Sequence, residues 1–320
     1  MAETNSSLTL GIYLKRKLMS LNNIAIISPG DMGSAIGRLL VSNGANVYTC
    51  LANRSTRTKA LAEQAGIIDL PTFNDLVRTV DVVLSITVSE IVGEVCQQIA
   101  TAAKETQSYP IFAECNAISP QKSKDLQLVM TEAGCTYVDG SIIGGPPSRG
   151  DTTSGIPGKS PHIYYSGPDT EDFSTLTEFG LDLKFLGADI GQASAIKMTY
   201  AAMTKGSTAL YTELLLAASQ MGVSEQLAEE FTTTQADAYT RMEKWIPTMP
   251  AKARRWVSEM KEIAATFEEL GMTGDIFKGV SEMYQMIGET PLGDETPESQ
   301  DRSRSLNDTI DTMAQFIDKD

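Results

Sequence analysis

The chain has 320 residues, enough for two domains that each bury a sizeable core. Hydrophobic residues make up 42% and charged residues 21%, an ordinary balance for a globular protein, and no apolar run approaches the length of a membrane span. The formal net charge of −15 disfavours nucleic acids and anionic membranes as partners, although helix N-termini and a few arginines can still bind an anionic cofactor.

The N-terminal segment and the residues that could bind a metal give further information about the class of protein. We expect residues 1–22 to be a disordered extension before the first strand. The four cysteines show no CxxC spacing and fall in predicted strands and helices, which predicts reduced core thiols in a cytoplasmic protein. With one histidine and no carboxylate triad at ligand spacing, we expect no catalytic metal.

Between residues 23 and 187, short β-type runs alternate with helical patterns. Strands are predicted at Asn23–Ser28, Asn46–Leu51, Val80–Ile86, Ile111–Glu114, Thr136–Ser141, His162–Ser166 and Asp182–Leu186. Helices are predicted at Ser34–Ser42, Thr56–Ala65, Thr72–Thr79, Ser89–Thr106 and Pro120–Ala133. This alternation indicates βαβ units and therefore an α/β fold, a Rossmann-type doubly wound sheet covered on both faces.

The first predicted strand ends in a glycine-rich turn that opens a helix. Because glycine has no Cβ, such a turn lets backbone N–H groups at the helix N-terminus approach a pyrophosphate. Ser28 stands where the dinucleotide-binding fingerprint expects its first glycine, so the motif is imperfect. The layout still predicts a dinucleotide cofactor, bound by Pro29, Gly30, Asp31, Met32 and Gly33.

The second strand ends in the polar segment Asn53-Arg54-Ser55-Thr56-Arg57, about twenty positions after the glycine turn. Here a dinucleotide-binding fold recognises the adenosine ribose, and an acidic residue would bind a free 2′-hydroxyl group. Arginine and serine suit a 2′-phosphate instead. The segment therefore predicts NADP in preference to NAD, bound by Asn53, Arg54, Ser55 and Arg57.

Three more residues follow predicted strands and are expected at the same edge of the sheet. Parallel strands place their carboxyl ends together, and dinucleotides bind along that edge. Thr87 and Val88 follow the strand that ends at Ile86, and Asn116 follows the strand Ile111–Glu114. We predict that Thr87, Val88 and Asn116 contact the cofactor, although each also suits an ordinary turn.

From residue 188 onward no strand pattern recurs. Helical patterns cover Ala193–Met221, Ser224–Trp245, Ala251–Leu270, Asp275–Gln285 and Asp301–Ile317. We therefore predict an NADP-binding Rossmann domain at 23–187, followed by an all-α domain at 188–320.

Four segments resemble, in register, motifs of the β-hydroxyacid dehydrogenase and 6-phosphogluconate dehydrogenase superfamily. They are Gly30-Asp-Met-Gly33, Glu114-Cys-Asn116-Ala-Ile-Ser-Pro120, Asp139-Gly-Ser-Ile-Ile-Gly144-Gly145 and Gly187-Ala-Asp-Ile-Gly191-Gln-Ala-Ser-Ala-Ile-Lys197. Two further segments resemble an uncharacterised phosphogluconate-dehydrogenase-like branch, 197–206 and Arg255-Trp256-Val-Ser-Glu259-Met-Lys-Glu262-Ile263. The resemblance implies an NAD(P)-dependent oxidoreductase acting on CH–OH groups, a homodimer through its helical domain.

The resemblance also implies roles for particular residues. It places the family's catalytic lysine at Lys197, which would exchange a proton with the substrate oxygen. Ser141, Gly144 and Gly145 would hold the substrate. Thr204 lies on the same predicted helix face as Lys197 and would add a polar group.

Two departures from the family pattern leave the reaction open. Ala201 replaces an asparagine and Ile143 a serine, and both changes remove polar groups from the expected site. The leading hypothesis is NADP-dependent interconversion of a small hydroxyacid-like compound and its carbonyl. An NADPH-dependent imine reductase and a non-catalytic cofactor-binding protein are the alternatives. We recognise no basic cluster for a phosphate, so a sugar-phosphate substrate is less expected.

Overall fold

The computed structural model describes residues 20–148, 160–296 and 298–317. The predicted N-terminal extension lies outside these residues except for its last three. Of those, Leu21 is already buried in the core of the sheet domain, before the predicted start of that domain at Asn23. All four cysteines are free and buried, in agreement with the prediction of core thiols.

The N-terminal domain is built on one eight-stranded sheet. Its strands are β1 Asn23–Ile27, β2 Asn46–Thr49, β3 Ile68–Asp69, β4 Val82–Ser85, β5 Ile111–Glu114, β6 Tyr137–Ile143, β7 His162–Ser166 and β8 Asp182–Gly187. The strand order is β3-β2-β1-β4-β5-β6-β7-β8, and every neighbouring pair is parallel except β6 and β7. The winding direction reverses between β1 and β4, which opens a crevice at their carboxyl ends. Strand β3 was not predicted from the sequence, because two residues are too few to show the alternation of a strand.

Successive buried residues of a strand point to opposite faces of the sheet, so the sheet has a core on each face. Ile24 and Ile26 of β1 belong to one core, and Ala25 and Ile27 belong to the other. The helices within residues 20–148 are α1 Asp31–Ser42, α2 Thr56–Gln64, α3 Phe73–Thr79, α4 Val92–Thr106 and α5 Pro120–Glu132. Three of them begin at a side chain that accepts a backbone N–H, namely Ser55, Thr72 and Ser119.

After β8 the described chain contains only helices and loops. The α-helices are α6 Gln192–Met221, α7 Ser224–Thr234, α8 Ala236–Trp245, α9 Pro250–Glu269, α10 Asp275–Glu289 and α11 Leu306–Ala314. They enclose a third core, in which Tyr284 is fully buried. No helix among the described residues is both long and apolar enough to cross a membrane. The predicted architecture, a Rossmann-type sheet followed by an all-α region, is confirmed.

Several predicted helix boundaries are wrong, and three of them have an identifiable physical reason. The helix predicted at Ser224–Trp245 is two helices separated at Gln235, whose φ of −137° is not helical. Three successive threonines precede this break, and their hydroxyl groups bond to carbonyls one turn back, which weakens a helix. Helix α1 begins before the predicted Ser34 because Gly30 is its N-cap. Helix α11 begins at Leu306, where a capping box fixes its start.

Candidate active site

The turn after β1 has the geometry of a dinucleotide-binding loop. Ser28 adopts the left-handed φ of 59°, so the chain makes the tight turn without the expected glycine. Gly30 is the N-cap of α1 and has no capping side chain, and the N–H of Ser34 makes the first helical hydrogen bond. The N–H of Gly30 donates to the carbonyl of Ser28, whereas the N–H groups of Asp31, Met32 and Gly33 have no intrahelical acceptor and remain available to an anion at the positive end of the helix dipole.

The glycines of α1 have two different roles. A Cβ on Gly33 would lie 3.1 Å from Cγ2 of Ile26, and one on Gly37 would come within 2.5 Å of a neighbouring side chain. These two positions allow the helix to pack closely on the sheet. A Cβ on Gly30 would meet only the carbonyl oxygen of Ser28, at 3.9 Å. Gly30 therefore keeps the space at the helix N-terminus open, and this space fits a pyrophosphate.

A cavity of about 440 Å³ opens at the carboxyl end of β2. The predicted cofactor residues Asn53 and Arg54 line it, together with Phe73 and Ile91, which the sequence analysis did not include. Arg54 makes no ion pair with any described residue. The position beyond β2 and the mixed polar and apolar walls fit the adenosine end of a dinucleotide.

Arg57 does not present a free guanidinium group to this cavity. Its Nη2 lies 2.5 Å from Oδ1 of Asp31 and 2.7 Å from Oε1 of Glu298, a residue of the C-terminal region. The hydrogen bond from Arg57 lowers the pKa of Glu298 to about 2. The side chains of Arg57 and Asp31, both predicted to contact the cofactor, are thus bonded to each other. Ser55 accepts the N–H of Thr58 and so serves as the N-cap of α2.

The predicted residues after β4 and β5 form one hydrogen-bonded unit. Thr87 and Val88 lie at the sheet edge with partly exposed side chains. Asn116 is buried, and its Oδ1 accepts the N–H of Thr87 at 2.5 Å. Its amide nitrogen donates to the carbonyl of Ser85 and to the carboxyl group of Glu114, whose pKa burial raises to about 7. Asn116 therefore orders the Thr87 loop, and protein groups occupy both of its polar atoms.

Asp139 on β6 holds the N-terminus of α6 against the sheet. It is fully buried, and its Oδ2 accepts three backbone N–H groups at 2.9 to 3.1 Å, those of Gly191, Ala193 and Ser194. Three hydroxyl groups also donate to the carboxylate, those of Ser123, Ser166 and Ser194. A carboxylate at this position satisfies the free donors of a helix start and complements its dipole. The sequence analysis assigned Asp139 no role of its own.

Lys197 lies on the part of α6 that Asp139 positions. Its Nζ donates a hydrogen bond to the carbonyl oxygen of Ile142 on β6 at 2.6 Å. Burial lowers the pKa of Lys197 to about 8, and the nearby cation Lys205 acts in the same direction. Glu259 partly opposes them. An amine with a pKa close to neutrality can both accept and return a proton, which the predicted role requires.

Lys197 lines a cleft of about 350 Å³. Three predicted substrate residues line the same cleft, Gly144, Gly145 and Thr204. Ser141 does not, because it is fully buried in β6 and its hydroxyl group has no partner among the described residues. Every residue of this strand is buried, and the role of Ser141 in substrate binding stays a prediction.

Aromatic and basic side chains form the other walls of the cleft. They are Tyr200, Lys205, Trp245, Lys252 and Trp256. The sequence shows no recognisable basic cluster for a phosphate, and the structure places three lysines, Lys197, Lys205 and Lys252, along this cleft. Helices α6 and α9 bring these lysines together from distant positions in the sequence, and spacing along the chain could not show this.

One carboxylate pairs with two cations of the cleft region. Glu259 of α9 forms an ion pair with Lys205 and lies 3.5 Å from Nε of Arg255. Although burial raises the pKa of Glu259, the cations Lys205 and Arg255 lower it overall. The ammonium group of Lys205 also lies 5.5 Å from the ring centroid of Trp256. The segment 255–263, which resembles the uncharacterised branch, thus builds one wall of the cleft.

The same segment docks the helical domain on the sheet domain. Glu262 accepts hydrogen bonds from Nζ of Lys122 at 2.6 Å and from the N–H of Ser119 at 2.9 Å. The hydroxyl of Ser89 donates to that of Ser258 at 2.9 Å. Helix α9 therefore contributes to the cleft and to the domain junction at once.

The single histidine of the chain lies elsewhere. Nδ1 of His162 is 2.6 Å from Oδ2 of Asp182 on the neighbouring strand β8. Within residues 20–148, 160–296 and 298–317, no group of three or more histidine, cysteine, aspartate or glutamate side chains could hold a metal ion.

Two family models match the chain. The model described as the NAD binding domain of 6-phosphogluconate dehydrogenase matches residues 23–165, which contain the glycine turn and β6. A domain of unknown function, DUF1932, matches residues 218–287, which contain α9. Residues 23–165 are therefore similar to the nicotinamide-binding part of 6-phosphogluconate dehydrogenase, as the resemblance in the sequence implies. The predicted superfamily is confirmed, and the predicted class of NAD(P)-dependent oxidoreductase agrees with it.

Individual proteins are similar to this chain in sequence or in fold. An uncharacterised 28.5 kDa protein of Methanothermus fervidus is 26% identical over 68% of this chain and 78% of its own. The fold is similar to 3-hydroxyisobutyrate dehydrogenase of Mycobacterium tuberculosis, with a TM-score of 0.64 and 17% identity over 92% of this chain and 99% of that enzyme. An imine reductase from Myxococcus stipitatus in complex with NADP⁺ gives a TM-score of 0.52 at 17% identity over 83% and 93%.

Proposed function

We propose that the protein is an NADP-dependent oxidoreductase that interconverts a small hydroxyacid-like compound and its carbonyl. The observation that carries this proposal is the amine of Lys197, which is partly buried, has a lowered pKa and lines a cleft beside Gly144 and Gly145. The match to a nicotinamide-binding family supports hydride chemistry. The shared fold with 3-hydroxyisobutyrate dehydrogenase is consistent with a hydroxyacid substrate.

The side chains of the cleft supply binding and proton exchange. A bound nicotinamide supplies the hydride acceptor or donor. In the oxidation direction, Nζ of Lys197 takes the proton of the substrate hydroxyl group, and in reduction it returns a proton to the carbonyl oxygen. The backbone N–H groups of Gly144 and Gly145 donate to a polar group of the substrate, and Thr204 adds a hydroxyl group on the same helix face.

The preference for NADP rests on the residues beyond β2. Arg54 lines the adenosine-side cavity and makes no ion pair with the described part of the chain, so its charge is available to a 2′-phosphate. Ser55 begins α2, whose N-terminal N–H groups favour the same anion. Arg57 adds to the site only when it releases Glu298. The preference therefore depends first on Arg54.

Replacing Lys197 with alanine tests the proposed proton exchange. The wild-type protein is first screened against a panel of hydroxyacids by the absorbance of the NADPH formed. With the best substrate, we expect Lys197→Ala to lower kcat by about 10²- to 10⁴-fold while NADP⁺ binding by calorimetry is unchanged. Lys104→Ala, an exposed lysine on α4, is the matched control. Undiminished oxidation by Lys197→Ala would contradict the proposal.

Imine reduction is the second candidate activity. The segment Asp139-Gly-Ser-Ile-Ile143 is similar to the Asp-Gly-x-Ile-x segment of imine reductases, and one such enzyme shares the fold. Ketimine reduction that survives in Lys197→Ala, with no alcohol oxidation in the wild type, would favour it. NADPH binding without turnover of either panel would favour a cofactor-binding protein.

A further inference from the structure

The cations that line the cleft differ in what they bond to. Lys197 donates to the carbonyl of Ile142, and Lys205 forms an ion pair with Glu259. Lys252 of α9 lines the same cleft, and its ammonium group makes neither a hydrogen bond nor an ion pair with any residue that the structure describes. Its charge is therefore available to a ligand.

The surroundings of Lys252 make an anion a favourable ligand. The residue is half-buried, and burial lowers the pKa of its ammonium group, with the neighbouring cation Arg255 acting in the same direction. Arg255 itself shares Glu259 with Lys205. An acidic group beside Lys252 would replace lost hydration and offset the repulsion from Arg255, and hydrogen bonds to charged groups are among the stronger ones.

Aromatic surface lines the same cleft. The chain has two tryptophans, and both Trp245 and Trp256 line the cleft together with Tyr200. Trp256 is fixed by an edge contact with the ring of Tyr284, 5.2 Å between centroids, whereas Trp245 is 36% exposed. A ligand with an apolar body would remove this aromatic surface from water.

We propose that the substrate carries an acidic group that Lys252 binds and an apolar, preferably aromatic, body that packs against Trp245 and Trp256. This inference rests on the proposed function, because it assigns the substrate class of the same cleft. Lys197 on α6 would act on the reacting hydroxyl or carbonyl group, while Lys252 on α9 would select the acid. Lys252 is then a specificity residue that contacts the substrate away from the reacting atoms.

The test uses the ligand-free protein and the fluorescence of its tryptophans. Since both tryptophans line the cleft, their emission reports binding there directly. The probes are 3-phenylpropionate and its neutral counterpart 3-phenylpropionamide. We expect the wild-type protein to bind the acid at least about ten-fold more tightly than the amide. Lys252→Met should reduce this ratio to near one, and Lys252→Arg should retain a preference for the acid.

Lys261→Met, on the same helix but outside this cleft, is the control and should keep the wild-type ratio. Equal binding of acid and amide by the wild-type protein would overturn the proposal without any variant being needed. An unchanged ratio in a folded Lys252→Met protein would overturn it too. Because neither cofactor nor turnover enters the measurement, its failure is distinguishable from failure of the proposed oxidoreductase activity.

Discussion

Lys197 loses most of its hydration and keeps a backbone acceptor in return. The carbonyl of Ile142 satisfies one of the three N–H bonds of the ammonium form, and it constrains where the amine lies. Burial disfavours the charged form, so the neutral amine is accessible near physiological pH. These two properties distinguish Lys197 from an exposed helical lysine.

The first prediction concerns the pH dependence of the reaction. Alcohol oxidation needs the neutral amine, so we expect kcat/KM for oxidation to rise with pH through the pKa of Lys197, about 8. Carbonyl reduction needs the ammonium form and should decline above the same pH. Glu259 raises the pKa of Lys197, so Glu259→Gln should move the inflection to lower pH. A profile without an inflection in this region, measured by initial rates, would contradict the assigned role.

Individual residues were predictable where a motif fixes their position along one element. Lys197, Gly144 and Gly145 meet at the cleft as expected because the turns before and after them are encoded locally. Ser141 does not line the cleft, because β6 is covered on both faces, and the sequence does not show this. Lys252 was missed, because it comes close to Lys197 only through the packing of α9 against α6. The spacing of the two residues along the sequence does not show this.

At the scale of elements, the glycines at the start of α1 divide into two that allow close packing and one at the proposed cofactor site. Gly33 and Gly37 have close protein neighbours at the Cβ position, whereas Gly30 faces open space. A methyl group on Gly30 should therefore harm only what binds in that space.

We expect Gly30→Ala to weaken NADPH and NADH binding by about ten-fold or more, because the methyl group meets the pyrophosphate. The free energy of unfolding should fall by about 1 kcal/mol, since alanine is a poorer N-cap than glycine. Calorimetry and chemical denaturation measure the two quantities. Gly93→Ala, at a position on α4 with no neighbour within 4 Å, should change neither by much. Full cofactor affinity in Gly30→Ala would remove the glycine turn from the binding site.

Most elements could be predicted because their periodicity and caps are local properties. The break between α7 and α8 could not, because the run 224–245 is apolar-periodic throughout while its threonines disfavour continuation at Gln235. Strand β3 exists only because β2 offers it an edge. In the first case the threonine hydroxyl groups oppose the helical periodicity of the run. In the second case the strand is too short to show a periodicity.

At the scale of the whole molecule, ion pairs connect the two domains at separate places. Glu262 of α9 bonds with Lys122 of α5, and Glu298 of the C-terminal region bonds with Arg57 of α2. The second contact joins the helical domain to the arginine predicted to bind a 2′-phosphate. If Arg57 binds the 2′-phosphate as proposed, cofactor recognition and domain contact compete for one guanidinium group.

Glu298→Gln should raise the affinity for NADPH relative to NADH by up to about five-fold, because it removes a carboxylate that competes for Arg57 and repels a phosphate. Calorimetric titration with both cofactors measures the ratio. Glu282→Gln, an exposed residue of the same domain, is the control. An unchanged ratio would mean that Arg57 lies away from the 2′-position.

The order of the two domains was predictable from the disappearance of the strand pattern after residue 187. The cleft was not, because its walls come from β6, α6, α8 and α9, which are distant in sequence. The contact between Glu298 and Arg57 likewise joins positions 241 residues apart.

The six hydrogen bonds to Asp139 have an evolutionary consequence. They anchor the start of α6, which carries Lys197, to the strand scaffold, while α8 and α9 contribute Trp245 and Lys252 with no share in that anchor. Substitution of those side chains on α8 and α9 can change which substrate binds, while the position of Lys197 stays the same. In libraries that randomise α8 and α9 but leave β6 unchanged, variants with altered substrate selectivity should accordingly be more frequent than inactive variants.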